Sequence, residues 1–287
     1  MSSQIDERPL LEVKDLAAAY DTRAGLLRTR PAAPVVEDVS FDIRPGETLG
    51  FVGESGSGKS TTGRAILRLL PALSGSILFD GEDIARWGRR TPLAYRRQVQ
   101  AVFQDPSASL NPRHLVSHAV EAPLRRHGVR DRRELDRRTR HAFDLVGLSS
   151  DHLGRFPNEL SGGQQQRVAI ARALVLEPRL VVCDEAVSAL DLSTQSQIIN
   201  LLMDLQELTG VSYLFIAHDM GLVRRIAHRV GVMNQGRLVE LADTETLFTS
   251  PRDPYTRTLL EATPAATPAG REERRALRAA ERKAAAR

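Results

Sequence analysis

The amino-acid sequence predicts an α/β protein in which helices cover a parallel β-sheet. Two short apolar runs, 180–185 and 211–218, are typical of strands that are buried on both faces. Between them, residues 196–208 repeat apolar side chains at the spacing of an amphipathic helix. Because strands and helices alternate along the chain, we expect the core to be a parallel sheet with helices on its faces.

The other elements follow from local patterns. Alternating polar and apolar residues predict strands, and apolar residues at helical spacing predict helices. In chain order, we expect strands at 11–20, 35–43 and 47–53, a helix at 63–70 that stops at Pro71, a strand and turn at 74–84, a helical insert at 112–157, and a hairpin at 229–241 that turns at Asn234–Gly236.

Composition limits the class of protein. The chain has 287 residues and 41% hydrophobic content, which suits one large domain or two small ones. The polar N-terminus lacks the apolar stretch of a signal peptide, and no run is apolar enough to span a bilayer. Cys183 is the single cysteine, which excludes an internal disulfide and a multi-cysteine metal cluster. These features predict a soluble protein of a reducing cytoplasm.

The net charge of +4 is concentrated in the tail. Residues 271–287 contain seven Arg and Lys and three Glu, so the rest of the chain is formally neutral. A neutral body argues against a general nucleic-acid-binding surface. For the tail, a solvated and partly helical extension is favoured over contact with anionic lipid or RNA.

Residues 53–60, GESGSGKS, fit the phosphate-loop pattern G-x-x-x-x-G-K-[S/T]. The stretch follows a predicted strand and precedes a predicted helix, a context that disfavours an ordinary flexible turn. We expect backbone N–H groups to hold phosphates, Lys59 to reach the β- and γ-phosphates, and the Ser60 hydroxyl to ligate Mg²⁺. The expected nucleotide-binding residues are Gly53, Glu54, Ser55, Gly56, Ser57, Gly58, Lys59, Ser60 and Thr61.

An acidic pair, Asp184 and Glu185, ends the apolar run LVVC. The carboxyl ends of parallel strands form the ligand-binding edge of such a sheet. In a phosphate-loop enzyme an acid at this point holds Mg²⁺ directly or through water, which is the role expected for Asp184. Glu185 would face the γ-phosphate and orient water. The alternative, a surface acidic pair, is disfavoured beside a phosphate loop.

A second glycine-rich stretch, LSGGQQQRVAIARAL at 160–174, has an unfavourable helix start. Ser161 can cap a helix, whereas Gly162 and Gly163 in its first turn lower helix stability. Glycine at a helix N-terminus lets an anion approach the free N–H groups. The stretch therefore predicts a second phosphate site.

The motifs GESGSGKST, VFQDP, LSGGQQQR, VVCDE, SALD and FIAHD follow one another in the order of an ATP-binding cassette (ABC) ATPase, and residues 11–262 resemble this family. The resemblance implies a phosphate-loop NTPase core with a parallel sheet, an N-terminal antiparallel β subdomain and an α-helical subdomain inserted at about 105–170. It also implies hydrolysis of ATP to ADP and phosphate, with Mg²⁺ as cofactor.

In this family two cassettes pack head to tail, and each ATP lies between one subunit's phosphate loop and the other's LSGGQ. The resemblance therefore implies that this signature serves the nucleotide of the partner. By position, the resemblance assigns the contact with the partner's nucleotide to Ser161, Gly162, Gly163 and Gln164. It assigns catalysis to Glu185, the sensing of Mg²⁺ and water to Gln104, and the γ-phosphate contact to His218. Asp191 would lie at the dimer interface, and Tyr20 would stack on adenine, with a core tyrosine as the alternative for Tyr20.

The stretch 250–264, SPRDPYTRTLLEATP, resembles a segment of ATPase subunits from bacterial importers of dipeptides, oligopeptides, nickel and related solutes. The loop at 21–34 is similar to that of the second of two ATPases in such importers. These similarities imply a homologous second ATPase in a heterodimer, two membrane permeases and an external solute-binding protein, with no nucleic-acid partner. They imply a peripheral position at the cytoplasmic face of the membrane, with 265–287 as a charged, flexible tail.

Two departures from the family and three other hypotheses qualify this expectation. Ala186 replaces the proline of many relatives, which should soften a turn, and no cysteine follows Cys183, so we expect no iron–sulfur cluster.

The alternatives to an importer ATPase are a non-transport cassette protein in DNA repair or on ribosomes, a binding module with a dead site, and an exporter ATPase. Coiled-coil inserts, a second cassette and fused membrane helices are not in the sequence, and the motif residues are intact. The sequence does not identify the transported solute.

Overall fold

The computed structural model describes residues 8–20, 33–88 and 90–262. The expected tail at 265–287 and most of the loop at 21–34 lie outside the described residues. In the described part, the strands β1 to β10 span Leu11–Ala18, Val36–Ile43, Thr48–Val52, Ala72–Phe79, Glu82–Asp83, Val99–Phe103, Leu180–Asp184, Ser212–Ile216, Arg229–Asn234 and Arg237–Asp243. The helices α1 to α10 span Lys59–Ile66, Leu93–Gln98, Pro106–Ser109, Val116–Arg126, Arg132–Leu145, Gly162–Leu174, Leu192–Thr209, Met220–Ile226, Thr244–Thr249 and Pro254–Ala262.

The main sheet has the strand order β10-β9-β3-β8-β7-β6. Every neighbouring pair in it is parallel except β9 and β10, which are antiparallel. Every residue of β3, β7 and β8 is buried. One face of these strands shares an apolar core with α6, α7 and α8, and the other shares a core with α1 and the strands β1, β2 and β4. The predicted α/β class with a parallel sheet is confirmed.

A second, antiparallel sheet has the order β2-β1-β4-β5. Its strands come from the first part of the chain, so the expected N-terminal antiparallel β subdomain is also confirmed. The hairpin expected at 229–241 is formed by β9 and β10. Its turn residues Gln235 and Gly236 both have a positive φ, 47° and 83°, which suits the twist of a two-residue hairpin.

The helices α3, α4 and α5 follow β6 and lie within the insert expected at about 105–170, whereas α6 begins within it and extends to Leu174. They pack together through apolar residues such as Val120, Phe143 and Val168, which are fully buried. Within the insert expected at 112–157, α5 begins at Arg132 behind its cap Asp131 and runs to Leu145. The boundaries given for the insert and the C-terminal segment stay predictions.

The helix expected at 63–70 is shifted toward the N-terminus. It begins at Lys59, because the phosphate loop leads directly into its first turn. It ends at Ile66, and Arg68 then adopts a left-handed backbone with φ 57°. The Arg68 guanidinium donates to the Trp87 carbonyl at 2.7 Å, which ties the end of α1 to the antiparallel sheet region.

Among the helices of the described ranges, none combines the length and the apolar content that a bilayer crossing requires.

Candidate functional site

The phosphate loop connects β3 to α1 and surrounds the side chain of Lys59. This side chain is buried, and its Nζ donates to the carbonyls of Gly53 at 2.8 Å and Glu54 at 2.7 Å and to Ser57 Oγ at 3.1 Å. Burial lowers the pKa of the Lys59 ammonium, while the carboxylates of Glu185, Asp184 and Glu54 act in the opposite direction. The loop thus holds one partly desolvated cation at its centre.

The backbone shape of the loop requires its glycines. Gly53 has φ 145°, and a Cβ there would lie 2.1 Å from the Met233 carbonyl oxygen. Gly58 has φ 104° and caps α1 without a side-chain hydrogen bond. The N–H groups at the start of α1 are therefore not covered by a cap side chain, an arrangement that fits a phosphate.

The end of β7 brings a carboxylate to the first turn of α1. The Ser60 hydroxyl donates to Asp184 Oδ1 at 2.6 Å. Asp184 is 8% exposed, so its charge lies in a largely desolvated position. Hydroxyl and carboxylate oxygens are ligands that suit Mg²⁺. In the described ranges no three His, Cys, Asp or Glu side chains cluster as a metal site.

Glu185 follows directly in an unusual backbone conformation. Its φ is 52°, in the left-handed region that a glutamate rarely occupies. The surrounding hydrogen bonds hold it there: its N–H donates to the Ile216 carbonyl at 2.9 Å, and its carbonyl accepts from the Ser188 N–H and hydroxyl. Such strain occurs at functional positions, although Glu177, outside this site, shares it with φ 56°.

The signature stretch begins α6. Ser161 Oγ accepts the Gln164 N–H at 3.3 Å, and the Gln164 side chain in turn accepts the Ser161 N–H at 2.9 Å. This capping box uses two of the side chains that were assigned to the partner's nucleotide. Ser161 and Gly162 are exposed, as a contact with a second subunit would require.

The packing of α6 against α7 explains why position 163 is a glycine, which the sequence did not reveal. A Cβ at this position would lie 2.6 Å from Thr194 Cγ2, in the first turn of α7. At Gly162 the nearest atom would be Leu190 Cδ2, at an ordinary 3.5 Å. Gly163 is therefore required for the close approach of α6 and α7, independently of any phosphate.

Asp191 caps α7 within the chain. Its carboxylate accepts hydrogen bonds from the N–H groups and the hydroxyls of Ser193 and Thr194, at 2.6 to 3.0 Å. These bonds hold the pKa of Asp191 well below its usual range, and the bond from the Ser193 hydroxyl has the largest effect on it. The residue assigned to the dimer interface thus also fixes the start of a helix.

The remaining predicted site residues follow neighbouring strands of the sheet or border α1. Gln104 comes directly after β6, and His218 lies two residues after β8; both are exposed. Since β6, β7, β8 and β3 are parallel, the topology places them at the same edge as Asp184 and the phosphate loop. Tyr20 is 39% exposed, and its hydroxyl accepts from Arg64 at 2.9 Å, beside the phosphate-loop helix.

A contact between the phosphate loop and the C-terminal stretch was not predicted from the sequence. The Glu54 N–H donates to the hydroxyl of Tyr255, at 3.2 Å, although the two residues are 201 positions apart. Tyr255 lies in the 250–264 stretch, which the sequence marked only by its resemblance to importer subunits. No local pattern links residues at this separation.

Comparison with known families finds two matches. Residues 36–188, just over half of the chain, match the family model described as ABC transporter. Residues 239–286 match the family described as oligopeptide/dipeptide transporter, C-terminal region.

Curated relatives include the glutathione import ATP-binding protein GsiA of Salmonella typhimurium, which is 48% identical over 276 residues. GsiA of Escherichia coli K12 is 48% identical over 274 residues. Each alignment covers 95% of this chain and 44% of the relative, so the chain spans less than half the length of these proteins.

Two solved structures are similar over most of the chain. A dimeric ATP-binding cassette in a post-hydrolysis state, bound to ADP and phosphate, gives a TM-score of 0.69 at 27% identity and covers 82% of this chain and 98% of that one. CbiO1 of Clostridium perfringens, part of the ABC transporter complex CbiONQ, gives a TM-score of 0.73 at 28% identity and covers 85% and 92%.

Proposed function

The chain belongs to the ABC transporter family, and from this premise we propose that it is the ATP-hydrolysing subunit of a bacterial importer. The family and the ATPase class predicted from the sequence are confirmed, whereas the residue roles, the dimer and the partners stay predictions. Its relatives carry the name glutathione import ATP-binding protein, and glutathione is a tripeptide. The C-terminal region of the chain matches the oligopeptide/dipeptide transporter family. Both similarities support a peptide or a related solute as the cargo.

One observation carries the proposal: a buried cation and a Ser–Asp oxygen pair meet at the start of α1. Lys59 supplies a positive charge for the β- and γ-phosphates of ATP, and the N–H groups of the loop hold the same phosphates. Ser60 and Asp184, joined at 2.6 Å, are the residues that would hold Mg²⁺, and Gln104, which follows β6, is the third proposed ligand. Mg²⁺, when bound, neutralises part of the phosphate charge.

Glu185 is the proposed catalytic base. Its backbone is fixed directly after Asp184 at the edge of the sheet, and its carboxylate acts on the pKa of the Lys59 ammonium in the phosphate loop. There it would accept a proton from the attacking water, while His218 contacts the γ-phosphate. Removing such general-base assistance slows a reaction by about 10²–10⁴-fold.

We further propose that two cassettes close around ATP, with the signature of one facing the phosphate loop of the other. The exposed start of α6 supports this arrangement. So does Leu192, which follows Asp191 and is 80% exposed although it is large and apolar. The similar solved cassette with ADP and phosphate is a dimer. The proposed partner is a homologous second ATPase.

The other proposed partners are two membrane permeases and an external solute-binding protein, with the cassettes at the cytoplasmic face of the membrane. The import function in the relatives' names supports this assembly, as does the membership of CbiO1 in a transporter complex. We propose no nucleic-acid partner, because the charge of the chain outside its tail is balanced.

Glu185→Gln tests the proposal, with the exposed Glu207→Gln as the matched control. The amide keeps the shape of the carboxylate but does not take up a proton, so ATP should bind while hydrolysis slows by about 10²–10⁴-fold. Light scattering with the second ATPase present should detect a dimer that persists with Mg-ATP and dissociates with ADP.

Two results would contradict parts of this mechanism. Normal hydrolysis by Glu185→Gln would remove Glu185 as the base. A slow variant that never associates would leave the chemistry but exclude the ATP-bound dimer. The Glu207→Gln control should hydrolyse ATP at the wild-type rate.

A further inference from the structure

The C-terminal segment, which we define as residues 251–262, contacts the phosphate loop through the side chain of Tyr255. The Tyr255 hydroxyl accepts the Glu54 N–H at 3.2 Å, at the second position of the loop. The ring of Tyr255 is half-buried against the main apolar core. The hydroxyl is thus presented to the loop by a packed side chain and not by a free one.

Buried hydrogen bonds fix the start of this segment. Glu240 on β10 is 9% exposed, and its carboxylate accepts the N–H groups of Arg252 at 2.8 Å and Asp253 at 3.1 Å. Asp253 Oδ1 in turn accepts the Tyr255 N–H at 2.8 Å. This chain of bonds sets where Tyr255 lies relative to β10.

The hairpin that carries Glu240 also borders the phosphate loop. The Gly236 N–H donates to the Ser57 carbonyl at 3.0 Å, and the Met233 carbonyl lies where a Cβ of Gly53 would be. The hairpin thus contacts the loop at both its first and its fifth residue. Tyr255, held by Glu240 of the same hairpin, adds a contact at the second.

We propose that Tyr255 is a positioning residue through which the C-terminal segment sets the affinity of the phosphate loop for nucleotide. By accepting the Glu54 N–H, the hydroxyl fixes the direction of the peptide that follows Gly53. Without this hydrogen bond the loop populates its nucleotide-binding conformation less often. The dissociation constant for nucleotide then rises by the factor by which that population falls. The inference rests on the proposed ATP-binding function and concerns the control of that same site.

Tyr255→Phe is the direct test, because it keeps the packed ring and removes the hydrogen bond. Tyr213→Phe is the matched control, since the buried Tyr213 hydroxyl has no hydrogen-bond partner in the described part of the chain. We expect the Kd of the whole chain for Mg-ATP, measured by calorimetry, to rise by about 2- to 12-fold in Tyr255→Phe, the range of one neutral hydrogen bond. In Tyr213→Phe it should not change.

Kinetics separate positioning from a general loss of structure. With the second ATPase present, Tyr255→Phe should raise KM for ATP and leave kcat unchanged, as expected when ground-state and transition-state binding weaken equally. A fall in kcat with an unchanged KM would overturn the proposal, as would tighter ATP binding, which would mean that the hydroxyl competes with phosphate for the Glu54 N–H.

A double-mutant cycle tests the route from β10. Glu240→Gln removes one of the two carboxylate oxygens that hold Arg252 and Asp253, so it should also raise the Kd for ATP. Added to Tyr255→Phe, it should cause no further rise, because both changes act through one contact. Additive effects, or a Tyr255→Phe variant that binds as wild type does, would refute the inference. A wild-type chain that does not bind ATP would instead refute the proposed function.

Discussion

Replacing Gly163 by alanine should destabilise the chain through a single methyl contact. The added Cβ would lie 2.6 Å from Thr194 Cγ2, well inside van der Waals distance. Thr194 has little freedom to move, because it is β-branched and its hydroxyl donates to Asp191 Oδ2 at 2.7 Å. We therefore expect α6 and α7 to be pushed apart or Thr194 to lose its bond to the α7 cap.

The size of the effect follows from two opposing contributions. Overpacking of this kind lowers the free energy of unfolding by about 1–3 kcal/mol. Alanine has a higher helix propensity than glycine, which raises the free energy of unfolding by at most about 1 kcal/mol. The net loss for Gly163→Ala should be about 1 kcal/mol. Gly162→Ala is the matched control and should be neutral or stabilising, because its Cβ would only reach Leu190 Cδ2 at 3.5 Å.

Thr194→Ser provides the rescue, since it removes the clashing methyl and keeps the hydroxyl that donates to Asp191. In urea unfolding of the purified chain, the double variant should be more stable than the sum of the two single changes predicts, by about 1 kcal/mol. Strict additivity would refute the steric explanation. ATP binding by the isolated chain should be unaffected, because the signature is proposed to serve the partner's nucleotide.

Three further expectations concern charge and the site. Lys59→Ala should abolish hydrolysis and weaken nucleotide binding, because it removes the positive charge that contacts the β- and γ-phosphates. Unchanged ATP turnover in the assembled transporter would refute the role assigned to Lys59. Ser161→Arg should leave ATP binding by the isolated chain intact and impair hydrolysis only when two cassettes meet; weak binding by the isolated variant would exclude the partner-site role. Burial opposes ionisation of Glu240. The Arg252 N–H, the Thr256 hydroxyl, the Asp253 N–H and the charge of Arg252 together outweigh it, so its pKa lies below the ordinary 4.5. The resulting stabilisation is present above the unfolded-state pKa and lost as pH falls through the folded-state pKa, so the difference in urea stability between wild type and Glu240→Gln should shrink below about pH 4.

Elements with a local signal could be predicted from the sequence. The phosphate loop and the acidic pair each follow a buried strand, so their meeting at the carboxyl edge of a parallel sheet could be predicted. The strand order, with β8 between β3 and β7, could not. The start of α1 at Lys59 could not be predicted either, because the glycines and serines before Gly63 obscure the helical pattern. The contacts of Gly163 with Thr194 and of Glu54 with Tyr255 join distant parts of the chain, and only tertiary packing determines them.

The left-handed backbone of Glu185 affects which substitutions this position can accept during evolution. Glycine and asparagine accept such a φ more readily than glutamate does, so at this position local backbone preference and the need for a carboxylate favour different residues. While ATP hydrolysis is under selection, the carboxylate prevails. In a descendant that no longer needs hydrolysis, relief of the backbone strain would favour loss of Glu185, and replacement of this residue would then be an early mark of a cassette that binds nucleotide without turning it over.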